Sequence, residues 1–303
     1  MPNPPTGTVT FLFTDIEGST KLWERSPEAM SHALARHDKI LRETIEIHGG
    51  HVFKTMGDAF CAAFSTATDA LKAALESQRS LFFSEWEQIG PLRVRMALHT
   101  GAAEGRDGDY FGPPLNRVAR LLSAAHGGQM LLSVTTQELA RDQLPADVEL
   151  WDLGQHRLKD LGRPEHVFQL ATSGLPADFP PLHTLDVHPN NLPLPSTPLV
   201  GREREVGEVA ERVRSEEARL LTLTGPGGTG KTLLGLQAAA DVLEDFSDGV
   251  FFVALATITE PELVVSTIAR ALEVKESAEL SLMESLKNYL RDKHLLLVLD
   301  NFE

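Results

Sequence analysis

Seven of the chain's 18 prolines fall between Pro176 and Pro198. Proline fixes φ and has no backbone N–H, so a run this dense cannot continue a helix or a central strand. The segment therefore reads as an extended linker, and the 303 residues divide into a domain over 1–172, a linker over 173–198 and a second domain over 199–303. Each flanking piece is long enough to bury a core of its own.

The formal charge of -15 is spread over both pieces, with 17 basic and 24 acidic side chains up to residue 198 and 11 and 19 beyond it. Neither piece offers the basic surface that phosphate-backbone contacts need, which argues against direct nucleic-acid binding by this stretch. A metal–nucleotide complex stays acceptable, because a divalent ion bridges acidic residues to phosphates. The single cysteine, Cys61, sits in an apolar run and reads as a core residue. The 11 histidines show no ligand spacing with cysteines, which argues against zinc. The N-terminus lacks the pattern of a secretory signal, and no apolar stretch is long enough to cross a bilayer. The expected compartment is cytoplasmic. Trp23, Trp86 and Trp151 read as packing residues, and the charged run Glu203–Glu217 as a solvated helix face.

Apolar periodicity predicts a strand over Thr8–Thr14 and helices over Pro27–His48 and Thr66–Phe83. It predicts a strand over Leu92–His99, a helix over Pro113–Ala125, and strands over Gln129–Ser133 and Val148–Leu153. The expected architecture is α+β, with helices covering an antiparallel sheet. His51–Phe64 reads as a hairpin turning at Met56-Gly57. In that register Lys54 and Asp58 point to opposite faces, so a site using both is expected to be shared between two subunits. Asp15 and Asp58 interrupt aromatic strands at their ends. Converging, they could hold two divalent ions; separately, each would only terminate its strand. On the 113–125 helix Asn116 and Arg120 share one face, and Leu115, Val118, Ala119 and Leu122 are expected to fill the other.

Together FTDIEGST, FKTMGD and DYFGPPLNRVAR (Asp109–Arg120) closely resemble the class III nucleotidyl cyclase domain over roughly Thr8–Leu170. The resemblance implies a ferredoxin-like βαββαβ core working as a head-to-tail homodimer. It implies Asp15, Asp58 and the Ile16 carbonyl as ligands of two metal ions, Mg or Mn. It further implies Lys54 and Asp109 as purine-selecting residues, and Asn116 and Arg120 as the catalytic pair acting in the transition state. Guanylyl members usually carry Glu where Lys54 stands, so ATP is the expected substrate, giving 3′,5′-cyclic AMP and pyrophosphate.

The second piece carries GPGGTGKT at Gly225–Thr232 between an expected strand, Leu220–Thr224, and a helix, Thr232–Leu243. That is the context of a phosphate-binding loop. Gly225, Gly227, Gly228 and Gly230 would bring backbone N–H groups to Mg-ATP, Lys231 would reach the phosphate oxygens, and Thr232 with Asp300 would hold the ion. Continuous apolar strands between helices predict a parallel sheet. Only three such strands fit before Glu303, so the chain is expected to be part of a longer protein. LVGRERE, the loop and LLLVLDNFE resemble the NTPase module of STAND (NB-ARC-like) signalling proteins. The combined expectation is an adenylyl cyclase in intracellular signalling with an NTP-binding regulatory module. The alternative is an NTP-gated signalling or transcription regulator whose cyclase domain is weakly active or a sensor.

Overall fold

The computed structural model describes residues 4–86, 89–185, 188–193, 199, 201–215, 219–275 and 280–302. Contacts divide the chain into two units, Met1–Leu158 with Pro164–Thr184, and Lys159–Arg163 with Leu185–Glu303. Among the described residues no helix is long and apolar enough to cross a membrane.

The first unit opens with β1 (Thr8–Ile16), α1 (Ser19–Arg25), α2 (Pro27–Ile47), β2 (His51–Met56), β3 (Ala59–Phe64), α3 (Ala67–Phe82) and β4 (Val94–Ala102). These form a βαββαβ core with sheet order β2-β3-β1-β4. A short hairpin of β5 (Glu104–Arg106) and β6 (Asp109–Phe111) follows, then α4 (Pro113–Ala124), β7 (Met130–Ser133), α5 (Val134–Ala140), β8 (Val148–His156) and β9 (Glu165–Thr172). Strands β7, β9 and β8 extend the sheet to seven. The expectation of a wholly antiparallel sheet is corrected here. β4 and β7 pair in parallel, which the intervening α4 makes possible, since a parallel pair needs a crossover element.

β1 lies inside the sheet, between β3 and β4, and is buried on both faces. Leu12 and Ile16 join Phe60, Phe64, Met96 and Leu98 in the main core, against Met30, Leu41 and Ile45 of α2 and Ala70, Leu71 and Ala74 of α3. Filled in by Ala33 and His37, the buried positions of α2 (30, 33, 37, 41, 45) recur every three or four residues, which puts them on one stripe. The odd-numbered side chains Phe11 and Phe13 point the other way. There they form an aromatic cluster with Phe53 and Tyr110, ring centroids 4.9–6.3 Å apart. Both faces of this strand are apolar in sequence, as a strand paired and covered on both sides requires. Cys61 is buried on the aromatic face, and burial pushes its thiol up to about 11, so it stays a neutral core group. Trp86 is a packing residue whose indole N–H donates to the Leu81 carbonyl. Trp23 and Trp151, expected to be buried, are instead more than a third exposed.

The second unit contains α6 (Glu203–Arg214), α7 (Lys231–Asp241), β10 (Val250–Ala254), α8 (Glu262–Ala271), α9 (Leu282–Leu290) and β11 (Leu296–Asp300). β10 and β11 pair in parallel from Val250↔Leu296 to Ala254↔Asp300. The expected strand Leu220–Thr224 does not form: the segment belongs to no strand, and Leu220 is exposed. An apolar run becomes a strand only where a neighbouring strand takes up its hydrogen bonds. The part of the expected helix over 216–217 lies outside the described residues. So do 186–187 and 194–198 of the proline-rich segment. Of its described residues, Leu182 and Thr184 are buried in the first unit, and Leu185 and Leu192 in a core of the second with Ala239, Leu243 and Val250.

Candidate active site

The β2–β3 hairpin pairs Met56 with Ala59, Thr55 with Phe60 and Lys54 with Cys61. Its turn is Gly57-Asp58, one residue later than the expected Met56-Gly57. Gly57 takes the left-handed conformation, φ 61°, which is open to glycine at little cost. Asp58 is therefore a turn residue with no strand parity, and the argument that it faces away from Lys54 does not hold. Lys54 pairs with Cys61, and Cys61 with Phe13 on β1. Lys54 and Asp15 thus share the sheet face that α2 and α3 leave free.

Asp58 reaches across to β1, where its carboxylate accepts the Ile16 N–H at 3.0 Å. This contact fixes the second carboxylate against the peptide that follows Asp15. Asp15 itself is held by Arg95, directly opposite it on β4, with Nε and Nη2 donating to one carboxylate oxygen at 2.9 and 2.5 Å. Arg95 is the residue that sequence reasoning missed. Its signal was the polar alternation of Arg93 and Arg95 against Val94, Met96 and Leu98, but the pairing spans 80 residues. Two carboxylates and a backbone carbonyl are hard oxygen donors of the kind Mg²⁺ takes, with phosphate and water completing the shell. No cluster of three or more His, Cys, Asp or Glu side chains with metal-site spacing occurs among the described residues. The donor set thus fits an ion shared with a substrate better than a closed protein site.

Lys54 Nζ donates to Asp109 at 3.1 Å, so the two expected purine-reading residues meet in one chain. Burial pushes the Asp109 carboxyl up, but the Tyr110 N–H and the Lys54 ammonium outweigh it and hold it below its ordinary range. Asn116 and Arg120 lie on α4, which packs over β4 and β1 on the face that carries Asp15. The close seat comes from Gly101, where a Cβ would stand 2.7 Å from Pro114. An ion pair of Arg117 with the buried Glu165, 3.1 Å, ties the helix to β9. Beneath α4, burial and the nearby Arg117 lower the His99 pKa to about 4, leaving it a neutral core histidine bonded to Ser133.

The stripe of α4 turned to the sheet is Pro114, Val118, Leu121 and Ala124. This corrects the expected stripe of Leu115, Val118, Ala119 and Leu122, which is displaced by one position around the helix. At 100° per residue Asn116, which is exposed, stands on the side roughly opposite that stripe, and the half-buried Arg120 on its flank. Asn116 therefore faces away from the sheet bearing Asp15 of its own chain.

In the second unit Gly225, Gly228 and Gly230 have φ of 155°, 76° and 80°, and Gly227 shares the loop that ends on α7. Lys231 Nζ donates to the carbonyls of Gly225 and Pro226 at 2.8 and 3.1 Å. Thr232 Oγ1 donates to Asp300 at 2.8 Å, so the two residues expected at the ion are adjacent.

Residues 1–171 match the family described as Adenylate and Guanylate cyclase catalytic domain, more than half of the chain. The chain belongs to this family. Residues 202–302 match the NB-ARC domain, so an NB-ARC stretch follows the cyclase domain. An uncharacterized Mycobacterium tuberculosis protein is 46% identical over 206 residues, 67% of this chain and 70% of its own. The adenylate cyclase of Lachancea kluyveri is 39% identical over 155 residues, covering 43% of this chain and 8% of that much longer protein. A solved structure of a Trypanosoma brucei adenylate cyclase in its monomeric state matches 60% of this chain and 94% of its own, at 29% identity and TM-score 0.53.

Proposed function

We propose that the chain is an adenylyl cyclase that acts as a homodimer and carries an NTP-binding NB-ARC module for regulation. The observation that carries this reading is the Asp58 carboxylate seated on the Ile16 amide beside Asp15, in a chain of the cyclase family. In the reaction the ribose 3′-oxygen bonds to the α-phosphorus, the bond to the β-phosphate oxygen breaks, and the 3′-hydroxyl proton is lost as pyrophosphate leaves. Asp15, Asp58 and the Ile16 carbonyl would hold divalent ions, which lower the pKa of the 3′-hydroxyl and neutralise phosphate charge. Arg95 must release Asp15 for this. Asn116 would orient the ribose, and the Arg120 guanidinium would donate to phosphoryl oxygens as they gain charge. As the exposed side of Asn116 opposite its own sheet suggests, and as the family resemblance implies, each site would take its metal ligands from one subunit and its Lys54, Asp109, Asn116 and Arg120 from the other. Lys231, Thr232 and Asp300 would bind Mg-ATP in the second unit.

The test is cyclic nucleotide formation by the full chain from ATP and from GTP, each with Mg²⁺ or Mn²⁺. Cyclic AMP from ATP is expected to dominate; no product with either metal would leave the domain a silent sensor. Adenine offers a ring-nitrogen acceptor to Lys54 and an amine donor to Asp109. Replacing both partners, Lys54→Glu with Asp109→Cys, is expected to move the ATP/GTP preference by about 100-fold, as two hydrogen bonds of about 1.4 kcal/mol each imply. An unchanged ratio in an active double variant would place base recognition elsewhere.

A further inference from the structure

The chain after β9 folds back over the cyclase domain instead of leaving it, and a row of buried amides lies beneath it. Gln169 Nε2 donates to the Ala177 carbonyl at 2.6 Å. Gln129 Nε2 donates to Gln169 Oε1 at 2.7 Å, and Gln129 Oε1 accepts the His126 N–H at 3.0 Å. The next amide, Gly127 N–H, donates to Glu17 Oε1 at 2.8 Å. Glu17 follows Ile16 directly, and its own N–H donates to the Arg93 carbonyl at 2.9 Å. Hydrogen bonds, joined through the His126–Gly127 peptide, thus link residue 177 to Glu17, the residue that follows Asp15 and Ile16 at the end of β1.

Three further features show that the row is a fitted assembly. Gln129 and Gln169 are 2% and 3% exposed, so their amides must find their partners within the protein, and they do so with each other, with Ala177 and with His126. Gly127 has no room for a side chain: a Cβ there would stand 2.6 Å from Arg93 and 2.7 Å from the Glu17 carboxylate. The 176–184 segment also grips the same loop from outside. Phe179 stacks on His126 with an interplanar angle of 4°, the His126 ring lies 3.0 Å from the Pro181 carbonyl, and His183 N–H donates to Ala124 at the end of α4.

We infer that Glu17, Gln129 and Gln169 form a positioning relay through which the segment after the cyclase domain sets the geometry of the end of β1 that carries Asp15 and Ile16. The segment is the covalent start of the path to the NB-ARC stretch, so a change in how it docks reaches Ile16 without touching substrate. This inference rests on the cyclase reading for the role of Asp15 and Ile16. It concerns residues that touch no reacting atom, and it makes them outer partners of the metal ligands.

The test uses the full chain and begins without metal. Amide hydrogen exchange is followed at 14–18 and 125–129 in wild type, Phe179→Ala, Gln169→Met, Glu17→Ala and Glu17→Gln. Phe179→Ala and Gln169→Met are expected to speed exchange at both segments, and Glu17→Ala likewise. Glu17→Gln keeps an acceptor for Gly127 N–H and is expected to exchange like wild type. Mn²⁺ binding, read from the loss of the free-ion EPR signal with a non-cyclisable ATP analogue, is expected to weaken about tenfold in Glu17→Ala and Gln169→Met. Glu17→Gln is expected to restore it. Faster exchange confined to 125–129, with unchanged exchange at 14–18 and unchanged Mn²⁺ affinity, would overturn the relay. If Gln169→Met unfolds, the partly exposed Phe179→Ala decides alone. Should the wild type form no cyclic nucleotide while the exchange coupling holds, the cyclase reading fails and the relay stands.

Discussion

Replacing Asp58 by Asn is expected to lower cyclic AMP formation by the full chain about a thousandfold while leaving its melting temperature unchanged. The side chain has two jobs, and this substitution separates them. Its scaffold role is to accept the Ile16 N–H at 3.0 Å, and the amide oxygen of Asn can do the same. Its charge is what would attract a divalent ion, and that is lost. Losing about 4 kcal/mol of charge stabilisation corresponds to about three decades in rate. Asp58→Ala removes both roles and is expected to be equally inactive and also less stable. Asp15→Ala belongs to the same test, with one difference. It frees Arg95, whose two hydrogen bonds to Asp15 are lost, so a guanidinium is left beside the site. Activity near wild type in a folded Asp58→Asn or Asp15→Ala protein would remove these carboxylates from the chemistry.

Much of this site is written locally in the sequence. Asp15, Ile16 and Asp58 stand at the end of an aromatic strand and beside a glycine turn, and Asn116 and Arg120 are four apart on a helix that begins at Pro113. Local patterns fix each group on its element. They do not fix register: a turn placed one residue early moved Asp58 from the turn onto a strand and supplied a false facing argument. The error arose because Met56-Gly57 and Gly57-Asp58 are both acceptable glycine turns, and only the pairing of Met56 with Ala59 decides between them. Long-range partners were illegible for a related reason. Arg95 meets Asp15, and Gln129 meets Gln169, only because β4 and β9 take particular places in the sheet. β9 itself was missed, since the strand over Glu165–Thr172 mixes polar and apolar residues on a strand paired on both sides. In the second unit the loop glycines, Lys231, Thr232 and Asp300 were all legible from spacing. The strand expected before them was not formed, because apolarity specifies burial and leaves the hydrogen-bonding neighbour unspecified.

Two inactive proteins, Asp15→Ala and Arg120→Ala, are expected to regain activity when mixed. The expectation no longer comes from the hairpin but from α4. Pro114, Val118 and Leu121 turn toward the sheet, so the exposed Asn116 points away from the Asp15 that the same sheet carries, with Arg120 on the flank between. On the proposed reading, a nucleotide touching both ends of this set would bridge two copies of the chain related by a two-fold axis. Each wild-type dimer then has two sites, each built from the metal ligands of one copy and the α4 residues of the other. A mixed dimer places both lesions in one site and leaves the other intact. Random exchange makes half of the dimers mixed, so recovery is expected to approach about a quarter of wild-type activity. Subunit exchange is checked separately with two affinity tags, and Arg120→Ala alone is expected to be down about 10²–10³-fold. If tagged subunits exchange and the mixture stays as inactive as its components, the metal ligands and α4 residues act from one chain, and the shared-site reading is wrong.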